Sequence, residues 1–158
     1  MKIIVMFLSL CIVSIHGYAQ EKKVPELDSN FTAIIVTDID VSSTWYTEIL
    51  GYDVVDKREI TEIGLKQSNL KRGNAHIELI ELDSALLPQE VIPNHNPKTK
   101  LIGLFKIGFL VSEFDRFIDH INKNKVKLHG NIVTDKATGK RMVIIMDPDH
   151  NRIQIFEN

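Results

Sequence analysis

Phe31-Thr32-Ala33-Ile34-Ile35-Val36 and Lys106-Ile107-Gly108-Phe109-Leu110-Val111 are two short apolar strands, and the chain continues in the same way after each. Both lead into an acidic or serine-bearing helix start and then an amphipathic helix carrying aromatic residues. Both halves close on an alternating strand: His76-Ile77-Glu78-Leu79-Ile80-Glu81 in one, Arg152-Ile153-Gln154-Ile155-Phe156-Glu157 in the other. The order in each half is strand, helix, then three strands. A unit of this kind cannot bury its apolar face alone, so duplication predicts two units folded against each other. The expectation is an α+β chain of two tandem βαβββ modules, residues 31–83 and 104–158, joined by a loop over 84–103. Two halves closing on each other make a cleft, and polar residues at matching places are expected to meet inside it.

In the first half, Asp38 or Asp40 can cap the helix by accepting its free N–H groups. Val41, Trp45 and Ile49 recur at four-residue spacing, with Tyr46 and Leu50 beside them, which predicts the apolar face. Ser42, Ser43 and Thr44 are weak helix formers, so packing must hold this helix. Gly51 tolerates positive φ and ends it. Strands are predicted over Tyr52–Ile60, Glu62–Leu70 and Ala75–Leu82, the last two joined by a Lys71–Asn74 turn. In the second half, Ser112-Glu113-Phe114-Asp115 resembles a capping box. Phe114, Phe117, Ile118 and Ile121 then follow helical spacing. Strands are predicted near Val126–Leu128, Asn131–Thr134 and Arg141–Met146, and Asp147–Asn151 is a tight turn into the last one. The segment from Asp83 to Lys100 carries Pro88, Pro93 and Pro97 and reads as a connector or as a lid over a site.

Residues 1–19 have the layout of a cleaved secretory signal: Met1-Lys2, an apolar run to Ile15, and Gly17-Tyr18-Ala19 as a small-x-small cleavage site before Gln20. The run is shorter than the roughly 20 apolar residues that span a bilayer, so no stable anchor is expected. A secreted or periplasmic protein follows, with a polar leader over 20–30. The single cysteine, Cys11, falls in the signal, so an exported chain must rely on an ordinary core rather than disulfides. The net charge is −2, and no basic run or basic-aromatic patch occurs, which argues against a nucleic-acid partner.

The element order, together with Trp45-Tyr46-Thr47-Glu48-Ile49-Leu50-Gly51-Tyr52 and Asp147-Pro148-Asp149-His150-Asn151-Arg152-Ile153-Gln154-Ile155, resembles the vicinal oxygen chelate superfamily of glyoxalase I, bleomycin-resistance proteins and extradiol dioxygenases. The resemblance implies a curved mixed sheet around a cup, with helices on its outer face and the ligand site in the cup. It also implies homodimers, since several relatives complete their cups across the interface. Metal-using relatives place one ligand on the first and one on the last strand of each half. By motif these positions fall on Phe31, Glu78, Lys106 and Gln154, and the two intervals nearly match, at 47 and 48 residues.

Glu78 and Gln154 offer oxygen donors, but Phe31 has no lone pair and Lys106 offers only N–H donors while charged. A divalent ion would face the Lys106 ammonium at contact range. The expectation is therefore no metal, with Lys106 standing where the cation sits in relatives and paired with Glu78 and Gln154. In the other reading, Lys106 runs out to water. His76 shares a strand face with Glu78, which makes the two candidate catalytic groups, or His76 a rim histidine. Arg152 shares a face with Gln154 and, with Lys106, can draw in an anionic small molecule. Phe31, His76, Glu78, Lys106, Arg152 and Gln154 are thus the expected ligand-binding residues. Binding rather than catalysis is the main expectation. The alternatives are a metal-dependent lyase, isomerase or dioxygenase using zinc, nickel, manganese or iron on Glu78, Gln154 and His76, and a noncatalytic interaction protein with a closed cup.

Overall fold

The computed structural model describes residues 28–96 and 98–158. The signal expected over 1–19 and most of the leader lie outside them. The first module runs β1 (Thr32–Ile35), α1 (Ile39–Leu50), β2 (Asp53–Ile60), β3 (Leu65–Arg72) and β4 (Ala75–Leu82). The linker holds one short helix, α2 (Pro88–Val91). The second module runs β5 (Ile107–Val111), α3 (Phe114–Lys123), β6 (Val133–Thr134), β7 (Arg141–Met146) and β8 (Arg152–Glu157). Each module forms its own four-stranded sheet, β1-β4-β3-β2 and β5-β8-β7-β6, with the first strand parallel to the last and the remaining pairs antiparallel. The chain is a tandem βαβββ protein of the α+β class.

Asp38 caps α1 by accepting from the backbone N–H groups of Asp40 and Val41, both at 2.9 Å. The Glu81 carboxylate on β4 takes the N–H of Ile39 at 2.7 Å. Gly51 ends the helix at φ 67°. The apolar face is rotated from the one that four-residue spacing predicts: Val41 is exposed and Trp45 half-buried, while Ile39, Ser42, Ser43, Tyr46, Ile49 and Leu50 are buried. The cause is a second neighbour, because the Asp147–Asn151 turn of the other module presses on the side of Ser42 and Tyr46.

The expected capping box before α3 does not form: Glu113, not Ser112, is the N-cap, and its carboxylate pairs with Arg116 at 3.1 Å. The strand predicted from Glu62 begins instead as a 3-10 turn over Thr61–Ile63, closed by Gly64 at φ 58°, and a Cβ on Gly64 would strike the Asp83 carboxylate. Val126–Leu128 is reduced to one bridge, Leu128 to Ile145.

Both sheets bury one face in a single apolar cluster. Ile34, Leu70, Ile77 and Leu79 meet Val143, Ile145, Ile153 and Ile155 there, joined by Tyr46 from α1 and Phe114 and Ile121 from α3. Asp149 latches the modules together, taking the N–H of Thr37 at 3.3 Å and its hydroxyl.

Candidate ligand-binding site

Strand alternation fixes where the candidate residues point. In the first sheet Ala33 lies beside Glu78 and Ile34 beside Leu79, so the buried Ile77 and Leu79 set His76, Glu78 and Ile80 on the face away from the core. Phe31, Ala33 and Ile35 stand on that same face, and Ile35 is 57% exposed. In the second sheet Gly108 lies beside Gln154, which sets Lys106, Gly108 and Leu110 with Arg152, Gln154 and Phe156 on its outer face. Leu110 is 70% exposed. Each sheet thus turns its candidate residues away from the shared core, and the matching polar residues do not meet inside one chain.

Phe31, His76 and Glu78 come together with Asn69 in a shallow pocket of about 220 Å³. Lys106 and Arg152 line a different pocket, of about 840 Å³. The expected Lys106–Glu78 pair is therefore not made. Glu78 instead accepts from Gln67 Nε2, which also donates to Asn69 Oδ1 at 3.2 Å. Lys106 is exposed and has no carboxylate within ion-pair distance among the described residues. Gln154 is 3% exposed; its Nε2 donates to Met142 Sδ at 2.8 Å, and its Oε1 has no partner among the described residues. The expected bond between Lys106 and that oxygen is absent.

Within one copy of the chain, a divalent ion does not fit these residues. Of the four positions, Phe31 has no donor atom, Lys106 is a cation, and Glu78 and Gln154 lie on separate sheets. The alternative set of His76, Glu78 and Gln154 is split in the same way. Among the described residues, no three His, Cys, Asp or Glu gather to hold a metal.

The larger pocket is strongly cationic. Lys98, Lys100, Lys106, Lys127 and Arg152 line it with His129 and His150, and no acidic residue does among the described residues. Ala33 and Ile35 of β1 and Leu101, Leu104 and Phe105 of the linker supply apolar wall. The Arg152 guanidinium lies 4.7 Å from the Phe105 ring centroid and Lys106 Nζ 5.9 Å from it, so two cations lie against one aromatic ring. Arg152 is positioned by the turn before it. There the buried Asp147 accepts from Asn151 N at 2.7 Å, Asn151 Nδ2 at 2.9 Å and the Tyr46 hydroxyl at 3.0 Å. Burial pushes the Asp147 carboxyl up, against the pull of these hydrogen bonds. His150, in the same turn, sits at φ 66°.

The sequence reading finds Lys106 and Arg152, misses Lys98, Lys100 and Lys127, and sets His129 and His150 aside as solvent-facing. The linker lysines lie outside both repeated modules, so no repeat signal marks them. The two histidines sit next to turn residues and are exposed, and they line the pocket from its solvent side.

A profile of the Glyoxalase/Bleomycin resistance protein/Dioxygenase superfamily matches residues 29–155. The chain belongs to that superfamily. It is 27% identical over 125 residues to the uncharacterised protein YwkD of Bacillus subtilis, covering 79% of this chain and 92% of that one. It is 28% identical over 128 residues to the uncharacterised protein YaeR of Escherichia coli, with the same coverage. Among solved structures, a glyoxalase family protein from Enterococcus faecalis superposes with a TM-score of 0.68 at 22% identity, over 82% of this chain and 97% of that one. The trypanothione-dependent glyoxalase I of Leishmania major superposes with a TM-score of 0.62 at 22% identity, over 84% and 87%. At these identities the likeness is one of fold.

Proposed function

We propose that this superfamily member is an exported small-molecule-binding protein that works without a catalytic metal and takes an anionic ligand. One observation carries the reading: Lys106 and Arg152 converge on Phe105 in a pocket of about 840 Å³ with no acidic lining among the described residues. The ring holds both cations without neutralising either. Their mutual repulsion is relieved by an anion, and a planar carboxylate or a phosphate matches the guanidinium fork. The apolar linker residues beside them suit a ligand with an apolar part. Export rests on the layout of residues 1–19.

A second copy of the chain is part of this reading. The outer face of the first sheet bears Glu78, and that of the second bears Lys106 and Arg152. A two-fold pairing of these outer faces covers Phe31, Ile35 and Leu110.

Isothermal titration with citrate and with inorganic phosphate tests the anion site. Arg152→Glu and Lys106→Glu should each weaken binding by about tenfold or more, since each removes a charge-assisted contact and adds a repulsion. Equal affinity in wild type and both variants overturns the anion reading. Sub-micromolar binding of zinc, nickel or manganese that vanishes in Glu78→Ala overturns its metal-free part.

A further inference from the structure

We propose that residues 98–106 of the linker form a membrane-surface contact: Leu101, Ile102 and Leu104 enter the headgroup layer of an anionic bilayer, while Lys98 and Lys100 pair with its lipid phosphates. The contact is independent of the ligand held in the cationic pocket.

The segment reads Lys98-Thr99-Lys100-Leu101-Ile102-Gly103-Leu104-Phe105-Lys106, and every one of these residues is exposed. Scattered apolar side chains on a surface are ordinary. Here Leu101, Ile102, Leu104 and Phe105 are interrupted only by a glycine, so they form one continuous patch. Phe105 is drawn toward Arg152 and Lys106, and Leu101 and Leu104 keep one side against the cationic pocket. Ile102 does not line that pocket and is 108% exposed, so no described residue covers it. The base of the segment is fixed by Asn96, whose side chain accepts from Lys98 N at 2.9 Å and whose carbonyl accepts from Thr99 N at 2.8 Å. An aliphatic tip held out in water gains from any apolar surroundings it can enter.

Charge decides which surroundings. The sequence has no acidic residue between Glu90 and Glu113, and the segment itself carries three lysines. Lys127 and Arg152 add to them from the pocket that the segment walls. A second copy of the chain does not suit this patch, because a two-fold contact centred on it sets its lysines against their own equivalents. An anionic bilayer meets both parts at once. Its phosphates take the ammonium groups, and the boundary just below them takes the aliphatic tip. Lysine stems lie along such a tip while their charged ends stay at the phosphate level. Among the described residues no helix is long and apolar enough to cross a membrane, so the contact is made at the surface.

The chain beginning at Gln20 is floated with vesicles of phosphatidylglycerol and phosphatidylcholine in equal parts, and with vesicles of phosphatidylcholine alone. Starting there keeps the apolar run over residues 3–15 from contributing. Binding to the mixed vesicles is expected, at least about tenfold weaker on phosphatidylcholine and weaker as salt rises. Ile102→Asp, and Lys98→Glu with Lys100→Glu, should each lower the affinity by about tenfold or more. These side chains are exposed, so melting temperatures should match the wild type. Ile102→Asp should bind citrate as the wild type does, which separates loss of the surface contact from failure of the pocket. Vesicle binding without citrate binding in the wild type would leave the contact standing and remove the anion reading alone. Four results each overturn the contact: no binding to the mixed vesicles, equal binding by Ile102→Asp, release by millimolar citrate at constant ionic strength, or a wild-type dimer that Ile102→Asp splits into monomers in sedimentation. The third would put a lipid headgroup in the cationic pocket, and the fourth would seat the segment on a second copy.

Discussion

Tyr46 joins the two modules through one oxygen. Its side chain is fully buried, and its hydroxyl donates to Asp147 Oδ2 at 3.0 Å, across a sequence separation of 101 residues. Asp147 is itself 3% exposed and takes two further bonds from Asn151. Burial of this carboxylate raises its pKa, and the Tyr46 bond is one of the groups that resist the rise. Burial and Asp147 together push the phenol upward, so it stays a donor. Tyr46→Phe keeps the ring and removes the donor, leaving a buried carboxylate less well satisfied. It should cost about 1–3 kcal/mol, read as a lower urea midpoint with an unchanged denaturant slope. An unchanged midpoint would mean that the turn holds Asp147 without help from α1. The sequence carries Trp45-Tyr46 plainly, but nothing local says which of the two is buried. Four-residue spacing favours Trp45, and the partner that decides for Tyr46 sits in the other module.

At the level of elements, strands bounded by turn residues were legible to the residue: Ala75–Leu82, Arg141–Met146 and Arg152–Glu157 all form where alternation places them. Alternation is a backbone property and needs no partner to be read. Caps were less legible, because Asp38 and Ser112 both precede helices and only Asp38 accepts the free N–H groups. The competing link is Arg141, which ties α3, β7 and β8 together. It reaches Asp115 at 2.6 Å and Glu157 at 2.7 Å, with its guanidinium 4.7 Å from the Phe114 ring. Arg141 holds the Glu157 carboxyl down at about 2, through hydrogen bonds from its side chain and backbone, and depresses Asp115 as well. A carboxyl depressed in the folded state contributes stability above its unfolded pKa, near 4.3 for Glu. That contribution is lost as pH falls from there toward about 2. Glu157→Gln should flatten the acid limb of stability against pH in that window and change little in the slope above pH 5. A variant with the same acid limb as the wild type would show that other carboxylates dominate it. Both partners are solvent-reachable, so raised salt should shrink the effect.

For the whole molecule, duplication of the βαβββ unit was readable, but which faces of the two units meet was not. Alternation separates an inner face from an outer one and is silent on what covers each. The expectation that Lys106 would meet Glu78 failed at that step: both lie on outer faces, and the inner faces share the core. This arrangement has a consequence for folding. The inner face of β1, β3 and β4 is covered by residues of β7, β8, α1 and α3 together, and Asp149 and Asp147 reach across to Thr37 and Tyr46. Each module is also below the roughly 70–80 residues at which a single core becomes self-sufficient. Residues 28–83 and 104–158 made as separate chains should each lack a cooperative thermal transition by far-ultraviolet circular dichroism, whereas the full chain should melt in one step. Mixing the two pieces should restore part of the native signal, because the core and the Asp149 latch need no peptide bond between modules. A sharp melt from either piece alone would mean that one module closes its own apolar face. In that case the junction would be a contact between two independent folds.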